Sequence, residues 1–274
     1  MSRVSISIVV YRPDVAALTS TLRSLRTALE TAREAGAINY VLLDLVDNGS
    51  EDERVLDAAV GATMEGLPWL RFQIIRGHGN IGYGRGHNLP ILASDATYHL
   101  ILNPDVILAP DAILESVRFL DTQGDVGLVA PRGYGPDGER HYLCRLYPTL
   151  WVLYLRGFAP AILRRRFQPY MDAHEMREVT GEEVVKGIPI VHGCYMFTRL
   201  ALLQKVGGFS PDYFMYFEDT DLSIRLGRLA SLAFVPRVNI VHFGGGASRK
   251  GLRHIGLFLR SAFTFFQTHG WKLV

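Results

Sequence analysis

The chain has 274 residues, 48% of them apolar and 20% charged, with 29 Lys and Arg against 27 Asp and Glu for a formal net charge of +2. This size and composition fit one large or two small globular domains and exclude disordered or collagen-like chains. So even a charge balance supplies no global field for nucleic acid, and two cysteines, Cys144 and Cys194, cannot build a disulfide framework or a four-cysteine zinc site, which points to a reducing compartment.

The first residues lack the apolar length and small-residue cleavage site of a signal peptide, and residues 4–10 read instead as a first strand. Apolar runs of strand length then alternate with helical patterns: a helix at 15–34, a strand at 40–46, a helix at 52–64, a strand at 70–75, a helix at 86–94 and a strand at 98–102. Such alternation predicts an α/β fold with a mostly parallel sheet covered by helices on both faces. Ligands of such sheets sit beyond the carboxyl ends of the strands, so the residues that follow each strand are the informative ones. They are Tyr11, then Asp47-Asn48-Gly49-Ser50, then the segment from Gly77 to Asn88, then Asn103-Pro104-Asp105.

Past residue 133 the rhythm breaks at Gly135-Pro136-Asp137-Gly138, a strong turn signal that suggests a hairpin. Residues 1–132 read as a nucleotide-binding half and 133–274 as the half that completes one domain. No stretch reaches about 18 uninterrupted apolar residues, because Arg156 and Pro160 break the best candidate, 150–163, so no membrane span is expected.

Each motif has a plain reading beside a chemical one. Asp47 could accept a hydrogen bond from a base or ribose, while Ser50 with Glu53 three residues on reads as a capping box opening a helix. Gly77-His78-Gly79-Asn80-Ile81-Gly82 matches a dinucleotide fingerprint but follows the third strand rather than the first; the broader reading is a flexible glycine-rich loop ending in Asn88. Asn103-Pro104-Asp105 is either a plain turn or a place where one carboxylate helps hold Mg²⁺ or Mn²⁺ completed by substrate phosphates. Glu218-Asp219-Thr220-Asp221 follows the aromatic run 213–217, and carboxylates beside so much apolar surface invite the raised pKa of a general base; an acidic first helical turn is the alternative. His242 ends a strand at 232–241 and precedes Gly244-Gly245-Gly246, as a metal ligand, a phosphate contact or a structural histidine. Residues 151–170 and 242–274 are basic, aromatic and free of acids, either solvated basic faces or segments that lie on an anionic membrane surface.

Taken in order, Ile8-Val9-Val10-Tyr11, Asp47-Asn48-Gly49-Ser50, Gly79-Asn80-Ile81-Gly82-Tyr83-Gly84 through Asn88, Leu102-Asn103-Pro104-Asp105 and Gly207-Gly208-Phe209 leading to Asp221 resemble glycosyltransferase family 2 over nearly the whole chain. Within it, Arg145-Leu146-Tyr147-Pro148, Gly193-Cys194-Tyr195-Met196 and the His242 tail look most like bacterial rhamnosyltransferases of O-antigen and related polysaccharide assembly. The resemblance implies a GT-A fold, a Rossmann-like nucleotide-sugar half merged with an acceptor half. It implies inverting transfer of L-rhamnose from dTDP-β-L-rhamnose to a glycan or polyprenyl-diphosphate-linked acceptor, with a divalent cation. Tyr11, Asp47, Asn48, Gly82, Asn88 and Asn103 would contact or position the donor, Asp105 with His242 would hold the cation, and Asp219 or its neighbour Glu218 would be the base. Arg145 and Arg249 would meet an acceptor diphosphate. The cysteine usage points to a cytoplasmic enzyme, and the two basic stretches, if they are not simply solvated faces, to peripheral contact with the inner membrane face. The sequence departs from many relatives in having Asn103 where they carry a first Asp. Three other readings stay open: a transferase using UDP-galactose or UDP-glucose, an NAD-binding oxidoreductase, and a non-catalytic nucleotide-sugar-binding protein.

Overall fold

The expected alternation of the first hundred residues is present in order: β1 (Ser2–Val10), α1 (Val15–Glu34), β2 (Ile38–Asp47), α2 (Glu53–Met64), β3 (Leu70–Ile75), α3 (Tyr83–Ala93) and β4 (Tyr98–Leu102). This computed structural model describes residues 1–244 and 251–274, of which 251–253 as backbone only; Gly245, Gly246, Arg249 and Lys250 lie outside the described residues. Next come β5 (Val106–Leu108), α4 (Ala112–Thr122), β6 (Val126–Tyr134), β7 (Arg140–His141), β8 (Cys144–Arg145), α5 (Leu150–Gly157), α6 (Ala161–Arg166) and α7 (Gln168–His174). The chain continues through β9 (Val185–Lys186), β10 (Ile190–Val191), β11 (Tyr195–Arg199), α8 (Leu200–Lys205), α9 (Glu218–Gly227), β12 (Ser231–His242) and α10 (Gly251–His269).

One sheet runs through both halves in the order β3-β2-β1-β4-β11-β6-β12-β5. The pairs β1–β2, β2–β3, β1–β4 and β6–β12 are parallel, whereas β11 enters antiparallel between β4 and β6. The turn at 135–138 does make a hairpin, with Gly133 opposite His141 in the β6–β7 pair. Successive residues of the central strands face opposite sides, as the pleat requires. Leu100, Leu102, Val129, Tyr195 and Phe197 join the core under α1 and α4. Their neighbours Ile101, Leu128 and Met196 join a second core with Ile91 of α3, Leu203 of α8 and Leu222 of α9. A third cluster, Tyr213, Phe217, Ala262, Phe265 and Phe266, fixes α10 against the segment before α9.

Two local expectations are corrected. Asp52, not Ser50, caps α2, its side chain accepting from the amides of Arg54 and Val55, while Ser50 bonds back to Asp47. Nor is 82–88 a flexible loop: α3 begins at Tyr83, and its glycines serve close packing, since a Cβ at Gly84 would lie 2.8 Å from Phe209 and one at Gly86 2.9 Å from Val9. Among the described residues no helix is long and apolar enough to cross a membrane.

Candidate active site

The carboxyl ends of β1, β2 and β4 open on one edge of the sheet, and antiparallel β11 begins at that edge with Tyr195 opposite Leu102. His242, ending β12, pairs with Val106, and the Phe243 amide donates to the Asp105 carbonyl, so the second half returns to the same edge.

At the β1 and β2 ends, Asp47 is buried. Its Oδ1 takes three donors, the amides of Gly49 (3.0 Å) and Ser50 (2.8 Å) and the Ser50 hydroxyl (2.8 Å). The other oxygen, Oδ2, lies 3.8 Å from Arg76 Nε. Tyr11 is half exposed with its ring over Gly49. Asn48 donates to the Gly82 carbonyl at 3.1 Å, and its own Oδ1 is buried without a partner. Gly82, at φ 91°, must be glycine: a Cβ there would sit 2.5 Å from the Phe214 carbonyl oxygen, which accepts from the Tyr83 amide. These contacts join the first half of the chain to the segment before α9.

Asn88 is part of that joint. Its carboxamide, expected to position a donor, donates to the Phe209 carbonyl and accepts from the Phe209 amide, both at 2.8 Å. Asn103 is held at the cleft by Tyr83, whose hydroxyl contacts Asn103 Oδ1 (3.0 Å) and the Gly193 carbonyl (2.6 Å).

The acids at the start of α9 reach the cleft through an unusual turn. Tyr216 and Phe217 both have left-handed backbone, φ 73° and 65°, a conformation costly for bulky side chains. Packing holds it, for the Phe217 ring lies 5.3 Å from Phe258 and 5.2 Å from Phe265. Asp219 accepts from the Gly193 amide at Oδ2 (2.8 Å) and from the Thr220 amide at Oδ1 (2.7 Å). Glu218 is buried, and its Oε2 has no partner. Burial, then the neighbouring Asp219 charge, raise its carboxyl to about 8. The pair thus splits into a partly exposed Asp219 on backbone donors and a buried Glu218 pushed toward its protonated form.

Across the cleft, Asp105 Oδ1 is buried with no hydrogen-bond partner and lies 3.5 Å from His242 Nε2. Burial alone would raise the Asp105 carboxyl, but His242, its own backbone and His192 outweigh that and lower it. Gly244 passes over both side chains, where a Cβ would come within 2.6 Å of Asp105 and 2.7 Å of His242. Among the described residues no group of three or more His, Cys, Asp or Glu forms a full metal cage. One carboxylate and one imidazole fit a divalent cation whose remaining positions substrate phosphates fill.

His192, overlooked in the sequence, lies between the two groups: its ring centroid is 5.8 Å from that of His242, and its neighbour Gly193 holds Asp219. The signal was its place immediately before Gly193-Cys194 at the start of an inserted strand. Arg145, expected at an acceptor, is instead largely buried, donating to the carbonyls of Tyr142 and Cys144 with Glu175 at 3.7 Å. Burial lowers its guanidinium to about 10. Arg249 lies outside the described residues. The dinucleotide reading of 77–82 also lacks its setting, because that turn follows the edge strand β3 and not a central strand.

No protein-family model matches the chain. It is 28% identical over 247 residues to an N-acetylglucosaminyl-diphospho-decaprenol L-rhamnosyltransferase of Mycobacterium tuberculosis, a match covering 83% of this chain and 75% of that protein. It is 26% identical over 172 residues to rhamnosyltransferase WbbL of Escherichia coli K12, covering 59% and 61%. The crystal structure of GalNAc-T7 with UDP, GalNAc and Mn²⁺ superposes with a TM-score of 0.62 at 13% identity, over 89% of this chain and 43% of that one. For Staphylococcus aureus TarS the TM-score is 0.56 at 13% identity, over 90% and 38%. The chain therefore spans less than half of either solved structure, and these two likenesses establish the fold, which is GT-A.

Proposed function

We propose that this glycosyltransferase moves L-rhamnose from dTDP-β-L-rhamnose to a hydroxyl of a glycan or polyprenyl-diphosphate-linked sugar, with inversion, in the assembly of a bacterial cell-surface polysaccharide. The names of both bacterial relatives support rhamnose as the sugar moved, and that of the mycobacterial relative supports a lipid-diphosphate-linked acceptor. The observation that carries the mechanism is Asp219, a partly exposed carboxylate fixed by the Gly193 amide beside Asn103, His192 and His242.

Asp47 Oδ2 and Asn48 Oδ1 are the acceptors left for a base or ribose of the donor, with Tyr11 stacking at the rim. Asn103 and the Gly82 turn shape the wall against the diphosphate. Asp105 and His242 would hold a Mg²⁺ or Mn²⁺ ion, which when bound neutralises charge on the departing diphosphate. Asp219 takes the proton from the acceptor hydroxyl as its oxygen attacks the anomeric carbon from the face opposite the leaving group. Glu218, whose raised carboxyl favours the protonated form, would donate the hydrogen bond that orients the acceptor. The enzyme works in the cytoplasm, at the inner face of the membrane.

Paired variants separate the adjacent acids. Asp219→Asn should lower kcat by about 10³-fold or more while leaving the donor dissociation constant within about twofold, since positioned bases contribute roughly 10² to 10⁴. Glu218→Gln, which keeps a neutral side chain of the same shape, should retain most of kcat at pH 7. The reverse ranking would transfer the base to Glu218.

A further inference from the structure

The structure assigns the outer side of α10, the chain end and the α5–α6 hairpin to one surface, and we propose that it docks flat on an anionic lipid bilayer. α10 buries Ala262, Phe265 and Phe266 on its inner side. Its outer side is not the polar stripe of a solvated helix: Ile255 (44% exposed), Leu259 (53%) and Phe263 (56%) recur every fourth residue, with Arg260 beside them. α6 buries no side chain at all; Ile162 is 84% exposed and is followed by exposed Arg164, Arg165 and Arg166. A segment that adds nothing to the core yet presents an isoleucine and three arginines is built for something outside the molecule.

The pieces adjoin. The amides of Leu150 and Trp151 donate to the carbonyls of Lys272 and Leu273 at 3.0 and 3.1 Å, and the Trp271 ring lies 5.9 Å from that of Phe263. Charge identifies the partner. Residues 151–170 and 254–274 contain six Lys and Arg (Arg156, Arg164, Arg165, Arg166, Arg260 and Lys272) and no acid, whereas the remainder of the chain carries twenty-three against twenty-seven acids. A second copy would bring the same basic segments against the first, which repels; a lipid leaflet offers both anionic headgroups and an apolar layer for Ile162, Leu259 and Trp271. With no spanning helix among the described residues, contact is interfacial.

This deepens the functional reading and rests on it for one consequence. The inner side of α10 packs on Phe217, immediately before Glu218 and Asp219, so the catalytic acids stand about one helix diameter, roughly 10 Å, behind the docked surface. An acceptor anchored in the bilayer by its lipid then reaches the cleft without leaving the membrane.

The test is sedimentation of the full chain with vesicles of phosphatidylcholine alone or mixed with phosphatidylglycerol. The protein should pellet with the mixed vesicles and be released by salt. Each basic residue near such a surface is worth about fivefold, so Arg164→Gln, Arg165→Gln and Arg166→Gln together should weaken binding by about 100-fold. Leu259→Ser with Phe263→Ser should abolish what binding survives salt. Neither set touches the cleft, and unchanged thermal midpoints would show that both fold. A wild-type protein that stays in the supernatant with mixed vesicles, or an arginine variant that pellets like wild type, overturns the proposal. So does a dimer in equilibrium sedimentation that the Leu259→Ser, Phe263→Ser variant dissociates. Donor-induced stabilisation without lipid reports on the transferase reading alone, so either can fail without the other.

Discussion

At position 88 an asparagine gives both ends of its carboxamide to the backbone of Phe209, 121 residues away. Asn88→Ala strands two backbone groups, at about 1 to 3 kcal/mol for each lost partner. It should lower stability by about 2 kcal/mol or more and the thermal midpoint by roughly 4 to 8 °C. An unchanged midpoint with weaker donor binding would return Asn88 to the ligand site. In the sequence this residue stood in a run of motif positions where a packing clamp and a ligand contact look the same. Asp47 and Asp105 could be singled out in the sequence because the first ends β2 and the second lies in the turn after β4, on the edge where such sheets bind ligands. The split between Glu218 and Asp219 was not, because it depends on which of two adjacent carboxyls the turn at 216–217 turns inward, and residues from the far end of the chain hold that turn.

Among elements, the decisive contact is between α9 and α10. Asp221 on α9 accepts from Arg225 Nε at 2.8 Å and pairs with His269 Nε2 on α10 at 2.8 Å, with Asp221 and His269 both almost fully buried. Removing one partner of a buried pair leaves charge uncompensated and costs about 3 to 5 kcal/mol; Arg225 stays beside Asp221, so His269→Ala should cost about 2 to 3. It should also lower kcat more than it raises the donor dissociation constant, because α9 carries the acids while Asp47 and Asn48 sit on β2 and its loop. A denaturation midpoint equal to wild type would contradict this coupling. The α/β elements of the first half were readable from apolar periodicity alone, with α1, β3 and β4 falling on their expected bounds. Beyond residue 133 the short strands β7 to β10 follow from tertiary pairing, which local pattern does not report.

Across the whole molecule, the central sheet carries a buried polar chain: Ser5 Oγ to His99 Nδ1 (2.7 Å), His99 Nε2 to Ser7 Oγ (2.8 Å), and Ser7 Oγ to His87 Nδ1 (2.6 Å). Burial lowers the His99 ring to about 3, and burial with the nearby His99 lowers His87 well below its ordinary value. A histidine depressed in the folded state is neutral there while the unfolded chain takes up its proton below about pH 6.5, so stability is complete above that pH and lost as pH falls. Each ring contributes a slope approaching about 1 kcal/mol per pH unit; His174 and His192, lowered by burial to about 4, act in the same sense, and together the four rings outweigh Glu218, whose raised carboxyl gains stability as pH falls, so urea unfolding at pH 7 and pH 5 should differ by about 3 kcal/mol or more. Equal stabilities at the two pH values would mean that the chain is solvated or the rings are already charged. The fold class was legible because strand and helix periods differ; this polar chain was not, because period-two patterning places Ser5 and Ser7 on one face without naming what meets them.

The central claim, that this cleft binds dTDP-rhamnose through Asp47 and a cation at Asp105, is tested most directly by thermal unfolding with nucleotide sugars. The full chain would be melted with dTDP-rhamnose, dTDP-glucose, UDP-glucose, UDP-galactose, GDP-mannose or NAD, each with Mn²⁺ or EDTA, beside Asp47→Ala and Asp105→Asn. At about 100 times its dissociation constant a ligand adds about 2.7 kcal/mol, so dTDP-rhamnose with Mn²⁺ should raise the midpoint by roughly 5 to 10 °C. EDTA or either substitution should remove most of that rise. A rise with a UDP-sugar alone would contradict the donor, and one with NAD alone, indifferent to EDTA, would contradict the transferase.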